Sequence, residues 1–374
     1  MNTFNYNYKT TLPQEANAPS VTIDGALFLE YIVSFYVKRD DGLLLIKKVS
    51  CKTGETVEAN SHQWFDLWYI TIHNNGVLVS EDTFNPKNKT IFIKMDAYAL
   101  GDNIAWIPYV EEFRVKHECN VICSTFYNDL FKKIYPNIIF APINLNLENV
   151  YAQYYIGASN KTDSKESPVL VDSTRLQYVA SKTLGLNDIE IRPKIENNFN
   201  RVVKKNYVCI SEYASHNKKM WKCENGWQKI VDFINSIGYE VLVISKEQTN
   251  LNGVINLTGD FSLLDRAKMI LDSKLFIGVS SGLSWLAWSV DTPCILISDV
   301  TPLEHEFKYN TIRLSANSEL LTIDYDVDNH TDIETVINAI KSKLIVNIWY
   351  LFIKQIRWNF ILIKTQHYQD LNLN

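Results

Sequence analysis

Residues 90–106 read TIFIKMDAYALGDNIAW, and they contain the transition that decides the fold. The run TIFIKM has the β-branched and aromatic composition of a buried strand. From residue 102 to 117 a helical pattern follows, running through Ile104, Ile107 and Val110. A strand followed directly by a helix begins a βαβ unit, so this stretch predicts a parallel sheet with helices on its faces.

The alternation of strand and helix patterns occurs in two separate parts of the chain. The first part continues with the strand runs NVICST (120–125) and NIIFAP (137–142). The second part contains the runs YVCIS (207–211), EVLVIS (240–245), KLFIGV (274–279) and CILIS (294–298). A linker at residues 191–201 separates them. Two such α/β units predict a binding site in the cleft between them, beyond the carboxyl ends of the strands.

The N-terminal part has a different pattern. Between residues 28 and 80, short apolar runs are separated by the turn sequences DDG, KTGE and NNG, which is typical of an antiparallel β-unit. We therefore expect an α/β protein with three parts. These are a β-rich N-terminal domain (1–88), an acceptor-side Rossmann-like domain (89–200), and a donor-binding Rossmann-like domain with a C-terminal tail (201–374).

Composition excludes several classes of protein. Lys and Arg total 37 against 42 Asp and Glu, spread without long blocks of one sign, which argues against a nucleic-acid partner. The N-terminus lacks a basic and then apolar signal peptide, so we expect a cytoplasmic protein. The apolar stretch 344–353 is too short to span a membrane; it predicts a buried helix, with a membrane-surface contact as the alternative.

The six cysteines are far apart, which is typical of reduced, buried thiols. The close pair Cys119 and Cys123 has no second pair at zinc spacing, so a metal site there is the less favoured interpretation. We therefore expect no metal site.

Residues 101–103 form the first candidate site. Gly101 predicts a sharp bend after the strand, and Asp102 then lies at or next to the N-terminus of the helix. Asp102 is either an ordinary N-cap or a general base that the helix terminus keeps ionised. We assign Gly101 and Asn103 to the acceptor side of the same site.

The donor-side candidates follow strands of the second unit. Lys218 and Lys219 predict a cationic edge for phosphates, although loop lysines are commonly only solvated. The turn Ser280-Ser281-Gly282 predicts an anion site at a helix N-terminus, and it matches neither a P-loop nor the glycine-rich dinucleotide motif. Glu247 is placed to accept hydrogen bonds from a ribose or an adenine.

With Gly101-Asp102, Lys219-Met-Trp221 and Ser281-Gly-Leu-Ser-Trp285 in this order, the sequence resembles the ADP-heptose glycosyltransferases, and more closely the bacterial autotransporter heptosyltransferases. The resemblance spans roughly residues 60–300. It implies the GT-B fold, with two Rossmann-like domains facing a cleft and a small N-terminal β-rich domain. It also implies inversion at the anomeric carbon and no cofactor for the transfer.

The resemblance further implies roles and partners. Asp102 corresponds to the general base, Lys219 and Trp221 to the donor-binding element, and residues 281–285 to the donor-pyrophosphate turn. The donor would be ADP-heptose, and the acceptor the serine hydroxyls of an autotransporter adhesin. Family members carry an iron-binding cysteine cluster near the C-terminus. Because no cysteine follows Cys294, the iron site and the associated ring-like assembly are in question.

Several alternatives stay open at this point. The same fold can use another nucleotide sugar and a glycan acceptor, or the protein can be a non-catalytic nucleotide-sugar-binding protein. Self-association into a homo-oligomer is also open, and the tail at 345–374 matches nothing in the family.

Overall fold

The computed structural model describes residues 1–9, 19–59, 67–145, 147, 149–157, 175–195, 205–215, 217–299, 301, 303–315 and 330–345. The chain forms two compact units, Met1–Asn198 with Glu304–Phe307, and Phe199–Leu303 with Lys308–Asn374. The change of unit falls within the linker that the sequence predicts. The apolar stretch 344–353 beyond residue 345, and with it the tail, lies outside the described residues.

The first unit contains two sheets and three helices in its described residues. Its strands are β1 (Thr3–Lys9), β2 (Ser20–Asp24), β3 (Glu30–Arg39), β4 (Gly42–Lys52), β5 (Thr56–Glu58), β6 (Trp68–Asn74), β7 (Val77–Thr83), β8 (Thr90–Met95), β9 (Asn120–Ser124), β10 (Ile138–Ala141) and β11 (Ala152–Ile156). Its helices are α1 (Leu100–His117), α2 (Asn128–Phe131) and α3 (Leu176–Leu184).

The larger sheet of this unit has the order β10-β9-β8-β11-β1-β2-β5. Strands β10, β9, β8, β11 and β1 pair in parallel, whereas β2 and β5 pair antiparallel at one edge. Residues 91–93 of β8 are fully buried, as a parallel strand covered on both faces requires. The βαβ arrangement predicted from residues 90–106 is therefore confirmed.

The smaller sheet is antiparallel, with the order β4-β3-β6-β7. Its β6–β7 hairpin turns through Asn75 and Gly76, both at positive φ, as an Asn-Gly hairpin turn requires. The antiparallel pattern expected for residues 28–80 is thus present. Strands β1, β2 and β5, however, extend the Rossmann-like sheet, so the proposed domain boundary at residue 88 stays a prediction.

The second unit has one parallel sheet, in the order β14-β13-β12-β15-β16-β17. Its strands are β12 (Tyr207–Ser211), β13 (Glu240–Val243), β14 (Ile255–Asn256), β15 (Leu275–Val279), β16 (Cys294–Ile297) and β17 (Thr311–Leu314). Its helices are α4 (Gly226–Ser236), α5 (Leu263–Asp272), α6 (Gly282–Ser289) and α7 (333–345). This is the doubly wound Rossmann order, in which the strand sequence reverses between the first and fourth strands, here β12 and β15.

All six cysteines are free, and all but the half-buried Cys223 are buried. Burial raises the pKa of Cys119 to about 11 and also raises that of Cys123, which favours neutral thiols. Five of the six thiols are therefore buried, as the sequence predicts. Within the described ranges, no helix is both long and apolar enough to cross a membrane.

Burial predicts how these thiols react in the folded protein. With a chromogenic thiol reagent at mildly alkaline pH, we expect Cys223 to react rapidly and the other five cysteines only after unfolding, because buried neutral thiols are poor nucleophiles. Mass spectrometry of the labelled peptides identifies the reacting positions. Rapid labelling of Cys119 or Cys123 in the native protein would contradict the packing described for β9.

Candidate functional site

Asp102 lies in the first turn of α1, directly after the first strand of the parallel sheet. The helix begins at Leu100, two residues earlier than predicted, and its N-cap is Ala99, which provides no side-chain cap. The expectation that Asp102 is an N-cap is therefore wrong. The predicted bend at Gly101 is also wrong, because the connection between β8 and α1 is at residues 96–99 and Gly101 is already helical and buried. As the third helical residue, the half-buried Asp102 still gains from the positive end of the helix dipole.

Asn103 holds this first turn in place. Its side-chain amide donates to the carbonyl oxygens of Ala97 (2.7 Å) and Ala99 (2.8 Å), and its Oδ1 accepts a hydrogen bond from Thr125 Oγ1 (2.6 Å). Asn103 is 0% exposed, and these bonds use both of its donors. Its position supports a role in fixing Asp102, and its assignment to the acceptor side stays a prediction.

Exposed aromatic side chains lie beside Asp102. Tyr127 Oη donates to the carbonyl oxygen of Tyr98 (2.8 Å), and the Tyr98 and Phe126 rings meet edge to face at 5.2 Å. Burial raises the pKa of Tyr127, and the nearby Tyr98 and Asp102 side chains add to this. Asp102 therefore lies near Tyr127, beside a partly apolar surface.

Three neighbouring strands of the second unit end in serines whose hydroxyls lack a partner. Ser211 is the last residue of β12, Ser245 comes two residues after β13, and Ser281 comes two residues after β15. Their Oγ atoms are buried and have no hydrogen-bond partner in the described structure. Because β13, β12 and β15 are adjacent and parallel, these hydroxyls lie along one edge of the sheet. Buried polar groups in native proteins are normally paired, so this edge has the character of a ligand site.

Ser211 and Ser245 were not predicted as site residues. The sequence carries a signal for them, because the runs YVCIS and EVLVIS both place a serine after an otherwise apolar strand. Glu212, directly after β12, was missed as well. Burial raises the pKa of its carboxyl, a hydrogen bond from Thr249 opposes this, and its Oε1 atom has no partner in the described structure.

The predicted turn Ser280-Ser281-Gly282 begins helix α6. Ser281 is the N-cap, and Ser284 caps the turn by accepting from Ser281 N (3.3 Å) and donating to Ser281 O (2.6 Å). Ser280 is buried, and Gly282 is the first helical residue. Helix N-termini present backbone N–H groups that suit an anion, and the buried Ser281 hydroxyl adds a further donor. The geometry is compatible with the predicted anion site.

Lys219 and Trp221, which the sequence groups together, occupy different environments. Lys219 ends a short 3₁₀ turn (Asn217–Lys219), is half-buried, and makes no hydrogen bond or ion pair within the described part of the chain. Trp221 is 4% exposed, meets Trp227 edge to face at 5.4 Å, and donates from Nε1 to Thr331 O (2.8 Å). Its core position makes it the anchor of the Lys219 turn, and its assignment to donor binding stays a prediction.

The structure says less about the two remaining donor-side candidates, Glu247 and Lys218. Glu247 is exposed in the loop after β13, at the same edge of the sheet as Ser245. Lys218 belongs to the 3₁₀ turn, but its side chain lies outside the described residues. Both keep their assignments as predictions.

Known proteins resemble much of this chain. Glycosyltransferase family 9 (heptosyltransferase) matches residues 164–305, which include the ends of β12, β13 and β15. The chain is 32% identical over 233 residues to the autotransporter heptosyltransferase Aah of Escherichia coli, covering 59% of this chain and 60% of Aah. It is 29% identical over 270 residues to the inactive autotransporter heptosyltransferase BimC of Burkholderia thailandensis, covering 68% of this chain and 63% of BimC. The chain thus spans less than two-thirds of each of these relatives.

A solved structure shares the fold. The iron-containing dodecameric glycosyltransferase TibC from enterotoxigenic Escherichia coli aligns with a TM-score of 0.71 at 23% identity, over 85% of this chain and 83% of TibC. A second TibC structure is a complex with ADP-D-beta-D-heptose. The predicted resemblance to autotransporter heptosyltransferases and the GT-B fold with two Rossmann-like domains are confirmed.

The iron of TibC has no counterpart in the described residues. Among them, no group of three or more His, Cys, Asp or Glu side chains is arranged to hold a metal ion. Cys119 and Cys123 are buried, with pKa values raised by that burial, so neither is a ready thiolate ligand. The described part of the chain therefore does not fit this cofactor.

The hydrogen bonds of Asn103 predict a stability effect. Asn103→Ala removes three of them and leaves the Thr125 hydroxyl without its acceptor, so we expect the free energy of unfolding to fall by roughly 2–3 kcal/mol. Urea unfolding followed by circular dichroism measures this change. The control is Asn120→Ala on the neighbouring β9, where the side chain is exposed and little change is expected. Equal stability of both variants would show that the Asn103 network contributes nothing.

Proposed function

We propose that this protein is an inverting glycosyltransferase that transfers heptose from ADP-heptose to serine hydroxyls of an autotransporter adhesin. The observation that carries the proposal is the row of unpartnered serine hydroxyls at the edge of β13, β12 and β15, within the segment that matches glycosyltransferase family 9. The similarity to Aah and the TibC complex with ADP-heptose support the choice of donor.

In this proposal the second unit holds the diphosphate of the donor. The backbone N–H groups of the Ser280-Ser281-Gly282 turn face the negative charge, and Lys219 supplies the positive charge, assisted by Lys218. Glu247 accepts hydrogen bonds from the ribose or the adenine. These groups bind most strongly in the transition state, because the negative charge on the leaving ADP grows as the sugar–phosphate bond breaks.

The acceptor side supplies the base. Asp102 takes the proton from the acceptor hydroxyl while the hydroxyl oxygen forms a bond to the anomeric carbon. The bond from that carbon to the diphosphate oxygen breaks on the opposite face, so the configuration inverts and ADP leaves. Asn103 keeps Asp102 in position through its bonds to Ala97, Ala99 and Thr125. The transfer so described uses no cofactor.

The remaining assignments belong to the same proposal. The boundaries 1–88, 89–200 and 201–374 separate the N-terminal, acceptor-side and donor-binding parts, and the cytoplasm is the proposed compartment. Self-association is supported by the dodecameric state of TibC.

A second candidate function is nucleotide-sugar binding without catalysis. The observation that favours it is the similarity to BimC, an inactive autotransporter heptosyltransferase, which is close to the similarity to Aah. The two functions share the donor site and differ in whether Asp102 acts as a base.

The base assignment predicts a defined loss of activity. Asp102→Asn keeps the size of the side chain but cannot accept a proton, so we expect the transfer rate to fall by about 10²–10⁴-fold while ADP affinity stays within twofold of wild type. The assay follows ADP release and the mass of an adhesin-derived peptide. Transfer by Asp102→Asn at the wild-type rate would rule out this base, and absence of transfer by the wild-type protein would favour the non-catalytic candidate.

The diphosphate assignment predicts a loss of donor affinity. Lys219→Ala removes a charged contact worth about 1.5–3 kcal/mol, so we expect ADP to bind roughly ten- to hundredfold more weakly in calorimetry. Lys205→Ala is the control, because this exposed lysine precedes β12 and its loss removes the same charge at the amino end of the strand. An unchanged ADP affinity in Lys219→Ala would contradict the role of Lys219.

A further inference from the structure

Arg266 is a buried cation that the sequence analysis did not single out. It lies on α5, is 4% exposed, and its Nη1 atom has no hydrogen-bond partner in the described structure. Nη2 donates to Gly259 O, and the guanidinium lies over the ring of Phe261, 6.0 Å from its centroid. The charge is therefore held firmly in place but not neutralised.

The nearest carboxylates do not neutralise this charge. Glu247 and Asp260 act on Arg266 only through space, and neither is within ion-pair distance of it in the described structure. Burial lowers the pKa of the guanidinium by more than these two carboxylates raise it. An unpaired buried charge costs several kcal/mol, so its presence needs an explanation other than stability.

The position of α5 brings Arg266 toward the carboxyl ends of the strands, where Ser211 lies. Both Tyr207 Oη (2.7 Å) and Cys209 Sγ (3.6 Å) of β12 donate to Met269 O, so α5 packs over the face of the sheet that contains Cys209. Ser211 shares that face, about 6.6 Å further along the strand. In a βαβ unit the helix runs antiparallel to the strands. Arg266 precedes Met269 by about 4.5 Å along the helix. Arg266 therefore lies closer than Met269 to the carboxyl end of β12, where Ser211 is.

The neighbouring strand β15 brings its backbone close to Ser211. Gly278 pairs with Ser211 in register, and the Phe276 ring fills the space that a side chain at Gly278 would occupy. Ser211 and Arg266 each keep an unpartnered donor next to the point where the strand order reverses. Doubly wound sheets bind their ligands at this point.

We propose that Arg266, together with the hydroxyl of Ser211, binds the diphosphate of a nucleoside-diphosphate donor. The proposal rests on the function proposed above and adds a second cation to Lys219. A phosphate oxygen supplies the negative charge that the guanidinium lacks, and an arginine fork suits phosphate geometry. Phe261 covers one face of the guanidinium and shields it from water.

The test separates binding from folding. Arg266→Met keeps an unbranched apolar side chain of similar length and removes the charge. We expect ADP to bind about ten- to hundredfold more weakly in calorimetry, with a smaller loss for AMP and none for adenosine. Without ligand, we expect the thermal midpoint of this variant to equal or exceed that of the wild type, because an unpaired buried charge is removed. A structural role would instead lower the midpoint and leave the ADP affinity unchanged, which would overturn the proposal.

Two controls complete the experiment. Lys268→Gln removes an exposed charge two residues further along α5 and is expected to bind ADP like the wild type. Inorganic pyrophosphate, used as a second ligand, separates this inference from the proposed function. If the wild type binds pyrophosphate but not ADP, and Arg266→Met loses that binding, the donor is wrong and the role of Arg266 stands. If Arg266→Met binds both like the wild type, the inference fails while the proposed function remains.

Discussion

Both units depend on one constraint, which is the reversal of strand order in a parallel sheet. In the first unit the order reverses between β8 and β11, and in the second between β12 and β15. At such a point the two connections leave in opposite directions, and the carboxyl ends of the strands are left uncovered. Asp102 follows β8, and the unpartnered hydroxyls belong to Ser211, the last residue of β12, and to Ser281, which follows β15. The topology therefore selects the positions at which polar side chains can meet a ligand.

Buried hydrogen bonds then fix these positions. Asn103 ties the first turn of α1 to the end of β9 through Thr125. In the second unit, Thr331 accepts from Trp221 Nε1 and donates from Oγ1 to Asp299 (2.6 Å), which follows β16. The turn that carries Lys219 is thereby tied to the start of α7 and to the sheet. In the first unit Asp102 is next to the buried Asn103, and in the second Lys219 is close in sequence to the buried Trp221. These buried residues restrict the backbone that carries the functional side chains, which limits the entropy lost on ligand binding.

Local patterns predicted the elements that depend on local interactions. The strand runs, the βαβ alternation, the Asn-Gly hairpin and the buried cysteines all follow from periodicity and turn chemistry. The pairing of β1 with β11 could not be predicted in this way, because it joins residues 8 and 152, and no short pattern encodes a contact between residues so far apart in sequence. Gly101 was misplaced because the sequence shows a flexible residue near a helix start but not where the first hydrogen-bonded turn forms. Trp221 was assigned to the donor through its motif, whereas Thr331 draws it into the core. Arg266 carries no local signal, because its lack of a partner is a property of the packed structure.

The central claim is that the second unit binds an ADP-linked sugar at its strand ends. The most direct test is the thermal unfolding of the purified protein with ADP, ADP-heptose, UDP and UDP-glucose, each added alone. A ligand that binds only the folded state raises the midpoint in proportion to its affinity and concentration. The account predicts a higher midpoint with ADP and ADP-heptose and no change with UDP or UDP-glucose. Stabilisation by the uridine ligands alone would contradict the proposed donor, and no response to any of the four would contradict the donor site itself.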